Sequence, residues 1–285
     1  MKDKKKYKEK KKSKGISKKK SFYGILFAMA IFSIAFVYSQ YSSPNQITSQ
    51  TFQLKAAIVD QGSLSPAAGP NPIFVATATS ILKQAGFTVE YHPGEEVNVE
   101  FYRNLPTYGY GLIILRVHST AKMAQGTEAP VTLFTSERYD SGKYVYEQIT
   151  DQLFPVVYSR EEREKGIRYF GITPLFVSQA MKGKFQDTII IMMGCEGLDN
   201  TLMAEAFIEK GAKVYISWNK GVLAFHTDTA TTHLLQHFLT EKRTLKESVR
   251  ETFKEVGFDP VYKSLLIYYP LEVGDQTIED IKNNH

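Results

Sequence analysis

Apolar runs and polar breaks alternate along most of this chain, and the runs come in two lengths. Short continuous runs read as buried strands, because a strand covered on both faces shows no in-out alternation. They cover 55–60, 87–91, 112–117, 188–193 and 213–217. Between them lie longer stretches of helical period, 73–85, 97–105, 202–210, 226–240 and 244–256, with Gly86 and Gly211 in stop positions. Strand, helix, strand at this spacing predicts a parallel sheet with right-handed crossovers. The expected fold is α/β: a three-layer α/β/α sandwich around a mainly parallel sheet. The stretch from about 120 to 187 is less regular, with strand signal at 131–135, a turn or helix at 144–151, a charged solvated segment at 160–165 and helical signal at 173–181. A late apolar run, 265–269, suggests a last strand.

The first 54 residues follow another pattern. Residues 22–39 are uncharged and apolar, and at ~1.5 Å per residue they span roughly 27 Å, close to a bilayer's hydrocarbon thickness. Twelve lysines stand before them, against Asp3 and Glu9 only. Lysines on that side alone predict a single-pass signal anchor over 22–42, with residues 1–21 as a basic cytoplasmic tail. Residues 43–54, rich in Ser, Gln, Asn and Thr, read as a stalk, and 55–285 as the folded, extracytoplasmic domain. No Ala-x-Ala spacing follows the apolar run to mark a cleaved signal peptide. The tail also explains the charge. The chain is +5 overall, yet the 264 residues after the tail hold 23 Lys+Arg against 28 Asp+Glu. A mildly acidic domain gives no support for nucleic-acid binding, and the pattern carries no signal for an oligomeric state.

Two strands end at chemistry. The run 188–193 leads through Gly194 into Cys195, the only cysteine, and the run 112–117 leads into His118. In open α/β sheets, sites collect at the carboxyl ends of strands. A thiol and an imidazole delivered there suit nucleophilic cysteine catalysis. Gly194 and Gly197 on either side of Cys195 permit a tight turn and close backbone approach. Arg116, inside a strand, is expected to pair with an acid. Asp199 or Asn200 is placed to cap the helix that starts near Thr201. His226, His233 and His237 raise the question of a metal. His233 and His237 stand four apart on a helix, a zinc-compatible spacing, but no Glu or Cys completes a motif with them, and a solvated helix face is expected. No phosphate-cradling Gly-rich loop and no Gly-x-Ser-x-Gly elbow occurs. No metal and no cofactor is expected.

These stretches, with Ala206–Trp218 after them, resemble the caspase-like cysteine peptidases, the group of caspases, gingipains, clostripain, legumain and separase. The closest pattern is the gingipain-like branch, over roughly 55–260. The group places a histidine after one apolar strand and a cysteine after another. It also shares the helix, Gly-Ala turn, strand and Trp of 206–218. Ser119 departs from the usual Gly after the histidine. The resemblance implies a His118–Cys195 dyad, not necessarily in contact at rest, that cleaves peptide bonds through a thioester. It implies an oxyanion hole from the backbone N–H groups of Ser119 and Cys195. It also implies a specificity pocket walled by Ser217 and Trp218 and floored at the position of Asp60. Glu196 either faces the substrate or caps the next helix.

The sequence therefore predicts a membrane-anchored cysteine endopeptidase acting on protein or peptide. The alternative is a non-catalytic α/β binding or sensory domain with a vestigial dyad. A flavodoxin-like domain, which would hold a nucleotide or flavin, is a third reading.

Overall fold

A computed structural model describes residues 52–122 and 128–283. The chain divides into two units, Met1–Ser49 and Gln50–His285. The expected tail, the expected span 22–42 and most of the stalk lie outside the described residues. Among the described residues, no helix is long and apolar enough to cross a membrane.

Six strands form the central sheet. β1 (Lys55–Asp60), β2 (Thr88–Pro93), β3 (Leu112–Leu115), β8 (Thr188–Met192) and β9 (Ala212–Trp218) run parallel. β10 (Leu266–Tyr269) joins β9 antiparallel, and the order across the sheet is β10-β9-β8-β3-β1-β2. Successive residues of the inner strands point to opposite faces, and both faces are covered. Ala57, Val59, Ile113, Leu115, Ile190 and Met192 enter one core; Ala56, Ile58, Leu112, Ile114, Ile189 and Ile191 enter the other. Double coverage explains why these strands read as unbroken apolar runs. Each fully buried Val, Leu, Ile or Met side chain among them stabilises the fold by about 1.5–3 kcal/mol of transfer free energy.

The second of these cores packs under α1 (Pro72–Gln84), α6 (Ala224–Leu235), α7 (Leu245–Val256) and α8 (Ile278–Asn283). α1 begins as its sequence suggests, with the Asn71 side chain capping the Phe74 N–H and Pro72 in the first turn. α6 continues as a π-helical turn, Gln236–Thr240. The opposite face packs under α2 (Val99–Asn104) and α5 (Leu202–Glu209). The N-cap of α5 is Thr201 rather than the expected Asp199 or Asn200, and its side chain makes no capping bond, while Asn200 Oδ1 accepts from the Leu202 N–H at 3.3 Å.

The irregular middle bears out the strand expected at 131–135 and the helix within 144–151, and adds strands that the sequence reading lacked. It holds a second sheet, antiparallel, in the order β4-β5-β7-β6: β4 (Ser119–Lys122), β5 (Glu128–Arg138), β6 (Leu153–Val156) and β7 (Tyr169–Ile172). Short helices α3 (Val145–Ile149) and α4 (Arg160–Glu164) lie between its strands. Val131, Leu133, Leu153, Phe170 and Ile172 join the same core as α2 and α5. The three layers are present, and one outer layer is part helix and part sheet.

Candidate active site

β3 and β8 are neighbours in parallel register, with Leu115 opposite Met192. The chain leaves both at the same sheet edge, so Arg116-Val117-His118 and Met193-Gly194-Cys195 emerge side by side. Two glycines make the second turn possible. A Cβ on Gly194 would lie 2.3 Å from the Val117 carbonyl oxygen, and one on Gly197 would lie 2.1 Å from Ser217 Oγ. The turn is then pinned from several sides. Ser119 Oγ donates to the Cys195 carbonyl. The Glu196 N–H donates to Lys220 O at 2.8 Å, and Leu198 N–H to Trp218 O at 2.9 Å. Glu196 itself sits at φ 59°, a left-handed conformation unusual for a residue with a side chain.

Cys195 and His118 line one cavity of about 260 Å³. Its walls are mostly small or apolar: Ala67, Ala68, Met193, Val222, Leu223 and Tyr262. The thiol donates to the Val222 carbonyl at 3.5 Å and accepts the Val222 N–H at 3.3 Å. Burial pushes the thiol pKa up; the Val222 bond opposes this, and the carboxylates of Glu196 and Asp259 add to it. Burial, and then the nearby Arg116 guanidinium, hold the His118 pKa down at about 4. Its Nε2 is buried without a hydrogen-bond partner. The resting pair is therefore a neutral thiol and a neutral imidazole. The His118 ring packs edge-on against Tyr158, with centroids 5.4 Å apart, and its backbone N–H donates to Gln61 Oε1 at 2.9 Å. Gln61 Nε2 donates to the Tyr158 hydroxyl, which donates to Thr135 O at 2.7 Å. Gln61 and Tyr158 thus fix the histidine from outside the cavity.

A buried charge cluster closes one side. Arg116 Nε and Nη2 bond both oxygens of Asp228 at 2.8 and 3.0 Å, while Nη1 bonds Asp60 Oδ1 at 2.7 Å and the Gly69 carbonyl at 3.0 Å. The remaining positions are also taken. Asn71 Nδ2 donates to Asp228 Oδ2 at 2.8 Å, and the Tyr91 hydroxyl donates to Asp60 Oδ2 at 3.1 Å. Burial opposes the charge on Arg116, yet the two carboxylates outweigh it and raise its pKa. Arg116 and Asp228 reach the cavity lining.

The structure distributes the expected site residues unevenly. His118 and Cys195 share the cavity, and Ser119 clasps the cysteine turn. Asp60 is 1% exposed and engaged by Arg116 behind the cavity, with Asp228 at the lining instead. Ser217 is fully buried and donates to Met192 O at 2.7 Å, joining β9 to the end of β8. Trp218 is buried behind Val222 and Cys195, and its indole N–H donates to Thr227 Oγ1 at 2.9 Å. Glu196 turns toward the small sheet, where Oε2 accepts the Ala121 N–H at 2.8 Å. The faces that meet the cavity come instead from loop residues Val222 and Leu223, from Ala224 at the start of α6 and from Tyr262. Asp259 shapes that wall: its carboxylate accepts the N–H groups of Leu223 (2.8 Å), Val261 (2.9 Å) and Tyr262 (2.7 Å). Those backbone bonds outweigh burial and lower its pKa. None of these residues carries a sequence motif. The carboxylate of Asp228 on a predicted helix, in need of a cation, was the one available signal.

His226, His233 and His237 do not form a solvated face. His226 and His237 are each 5% exposed. His226 packs on Trp218, with centroids 5.2 Å apart, and His237 is enclosed by Glu241 and by Glu255 of the adjacent α7. A second, larger cavity of about 510 Å³ lies between Phe154, Leu175 and Leu202, and its lining includes neither cysteine nor histidine.

No protein-family pattern matches the chain, and no curated protein matches it by sequence. The structure is similar to the crystal structure of the Arg-specific cysteine proteinase gingipain R, with a TM-score of 0.44 and 12% sequence identity. The match covers 75% of this chain and 45% of that one, so the chain spans less than half that protein's length. A likeness at this level leaves the chemistry to the geometry of the site.

Proposed function

We propose that the chain is a cysteine endopeptidase of caspase-like architecture, with His118 and Cys195 as its catalytic pair. One observation carries the reading: thiol and imidazole meet in one cavity at the carboxyl edge of adjacent parallel strands. The reaction starts from neutral groups. Cys195 Sγ attacks the peptide carbonyl carbon as its proton passes to His118. A C–S bond forms, the C–N bond breaks, and His118 gives the proton to the leaving amine. Water then attacks the thioester, with His118 taking its proton and returning one to the sulfur. The backbone N–H groups of Ser119 and Cys195 are assigned to the oxyanion, each such donor being worth ~3 kcal/mol.

The cavity points to an uncharged residue on the acyl side of the cleaved bond. Asp228, the carboxylate at the lining, already binds Arg116 through both oxygens, and the remaining wall is small and apolar. A basic side chain would have to displace Arg116 from a buried ion pair. The apolar run 22–39 behind its lysines supports anchoring to a membrane over 22–42, with the peptidase unit on the far side. Resistance of the full chain to alkaline extraction from membranes tests that part.

The raised thiol favours a second reading, a binding domain in which Cys195 is a packed hydrophobe. A peptidyl electrophile with Ala or Val next to its reactive carbon separates the two. Saturable labelling of Cys195, lost in His118→Ala, supports the peptidase. Labelling no faster than that of the urea-unfolded chain supports the binding domain.

A further inference from the structure

His233 on α6 and His237 on the π-helical turn that follows present their rings 6.4 Å apart, centroid to centroid. α7 packs alongside and brings Glu255 to both. Glu255 Oε2 lies against His233 Nδ1 and 3.3 Å from His237 Nε2. One ligand atom from each of the three residues lies within 4.8 Å of the other two. Zinc bonds to imidazole nitrogen and carboxylate oxygen are ~2.0–2.2 Å, which sets tetrahedral ligand atoms ~3.3–3.5 Å apart. The His237–Glu255 separation has that value, whereas Glu255 Oε2 contacts His233 Nδ1 directly, so an ion enters only as that contact opens.

The second nitrogen of His237 adds an independent argument. Nδ1 is 3.1 Å from Glu241 Oε2, and Arg243 Nε holds that same oxygen at 2.6 Å. A neutral imidazole carries a single N–H. In the tautomer that donates Nδ1–H to Glu241, Nε2 is the nitrogen that faces Glu255. An ion between those two atoms would take Nε2 and the carboxylate oxygen as ligands. Carboxylate, histidine and metal in line is the usual outer arrangement of zinc sites, where it fixes the tautomer and orients the ring. Access is also suitable, since the His237 side chain is 6% exposed while those of His233 and Glu255 are 40% and 44% exposed.

We propose that His233, His237 and Glu255 form a divalent transition-metal site of the zinc class, with Glu241 orienting His237 and water completing the coordination. Imidazole with carboxylate suits zinc better than calcium or magnesium, which prefer all-oxygen sites. The ion ties the end of α6 to α7. The first turns of that same helix supply Thr227 and Asp228 to the Cys195 cavity.

The test uses the untagged full chain, stripped with a chelator and titrated with zinc by calorimetry and with cobalt by visible absorption. The expected result is one ion per chain, a tetrahedral-type cobalt spectrum and a raised Tm. His233→Ala and Glu255→Gln, both at partly exposed positions, should each weaken zinc binding at least tenfold while the metal-free Tm holds. Glu241→Gln should weaken it ~10–100-fold. Cys195→Ser should leave the stoichiometry at one. The proposal is overturned if zinc is not taken up at micromolar concentration, if uptake ignores His233→Ala and Glu255→Gln, or if Cys195→Ser abolishes it. The cluster would then be a set of histidine–carboxylate hydrogen bonds closed by a proton.

Discussion

His118 enters the fold as a neutral ring, and this has a cost in acid. Its pKa is about 4 in the folded chain against 6.5 for an unperturbed histidine. Between those values the unfolded chain binds the extra proton and the folded chain does not. Stability is therefore full above pH ~6.5 and declines as pH falls toward 4. The shift corresponds to about 3 kcal/mol. Urea unfolding from pH 7.5 to 4.5 should show that slope, and His118→Asn should remove much of it. The Arg116 cluster is a second residue-scale test. Arg116→Met leaves Asp60 and Asp228 buried without their cation, and removing one partner of a buried pair costs about 3–5 kcal/mol. Adding Asp228→Asn should restore part of the loss, because one stranded charge goes with it. A double-mutant cycle on denaturant midpoints measures both.

At the scale of elements, the turn between β8 and α5 positions the thiol, and its glycines have no room for a side chain. Gly194→Ala would drive a methyl group into the Val117 carbonyl, and Gly197→Ala into Ser217 Oγ. Each should lower stability by about 1–3 kcal/mol, as overpacking does, and should remove Cys195-dependent activity more completely than it lowers Tm. Melting curves run beside peptide turnover decide this. The strands that flank the turn were legible in the sequence because both of their faces are covered, which makes their runs continuous. Of the small antiparallel sheet only β5 was, through the run 131–135. β6 contains Pro155, β7 contains Gly171, and β4 and β7 have only four residues each, so neither period nor propensity rises above the loops around them. His118 and Cys195 were legible because they end recognisable strands. The cavity wall was not, since Val222, Leu223 and Tyr262 stand on loops ordered by the Asp259 carboxylate across more than 30 positions of sequence. Glu255 escaped for a similar reason. It completes the histidine pair only after α7 packs on α6, and short-range spacing carries no record of that contact.

For the whole molecule, the layered packing puts two polar centres on the two ends of one helix. The first turns of α6 serve the cavity of the β3–β8 edge, and its last turn carries the histidine cluster. The parallel sheet supplies the rigid edge, and Phe134 of the second sheet with Tyr158 just after β6 packs against the histidine. The central claim is that this arrangement hydrolyses peptides through Cys195. Turnover of a mixed-sequence peptide library by the full chain tests it most directly, with Cys195→Ser, His118→Ala and their melting temperatures measured in parallel. The account predicts cleavage after small uncharged residues, no cleavage by Cys195→Ser at a nearly unchanged Tm, and a ~10²–10⁴-fold loss in His118→Ala. Cleavage that survives Cys195→Ser, or a chain that binds peptides without cutting them while Cys195→Ser lowers the Tm, would contradict it.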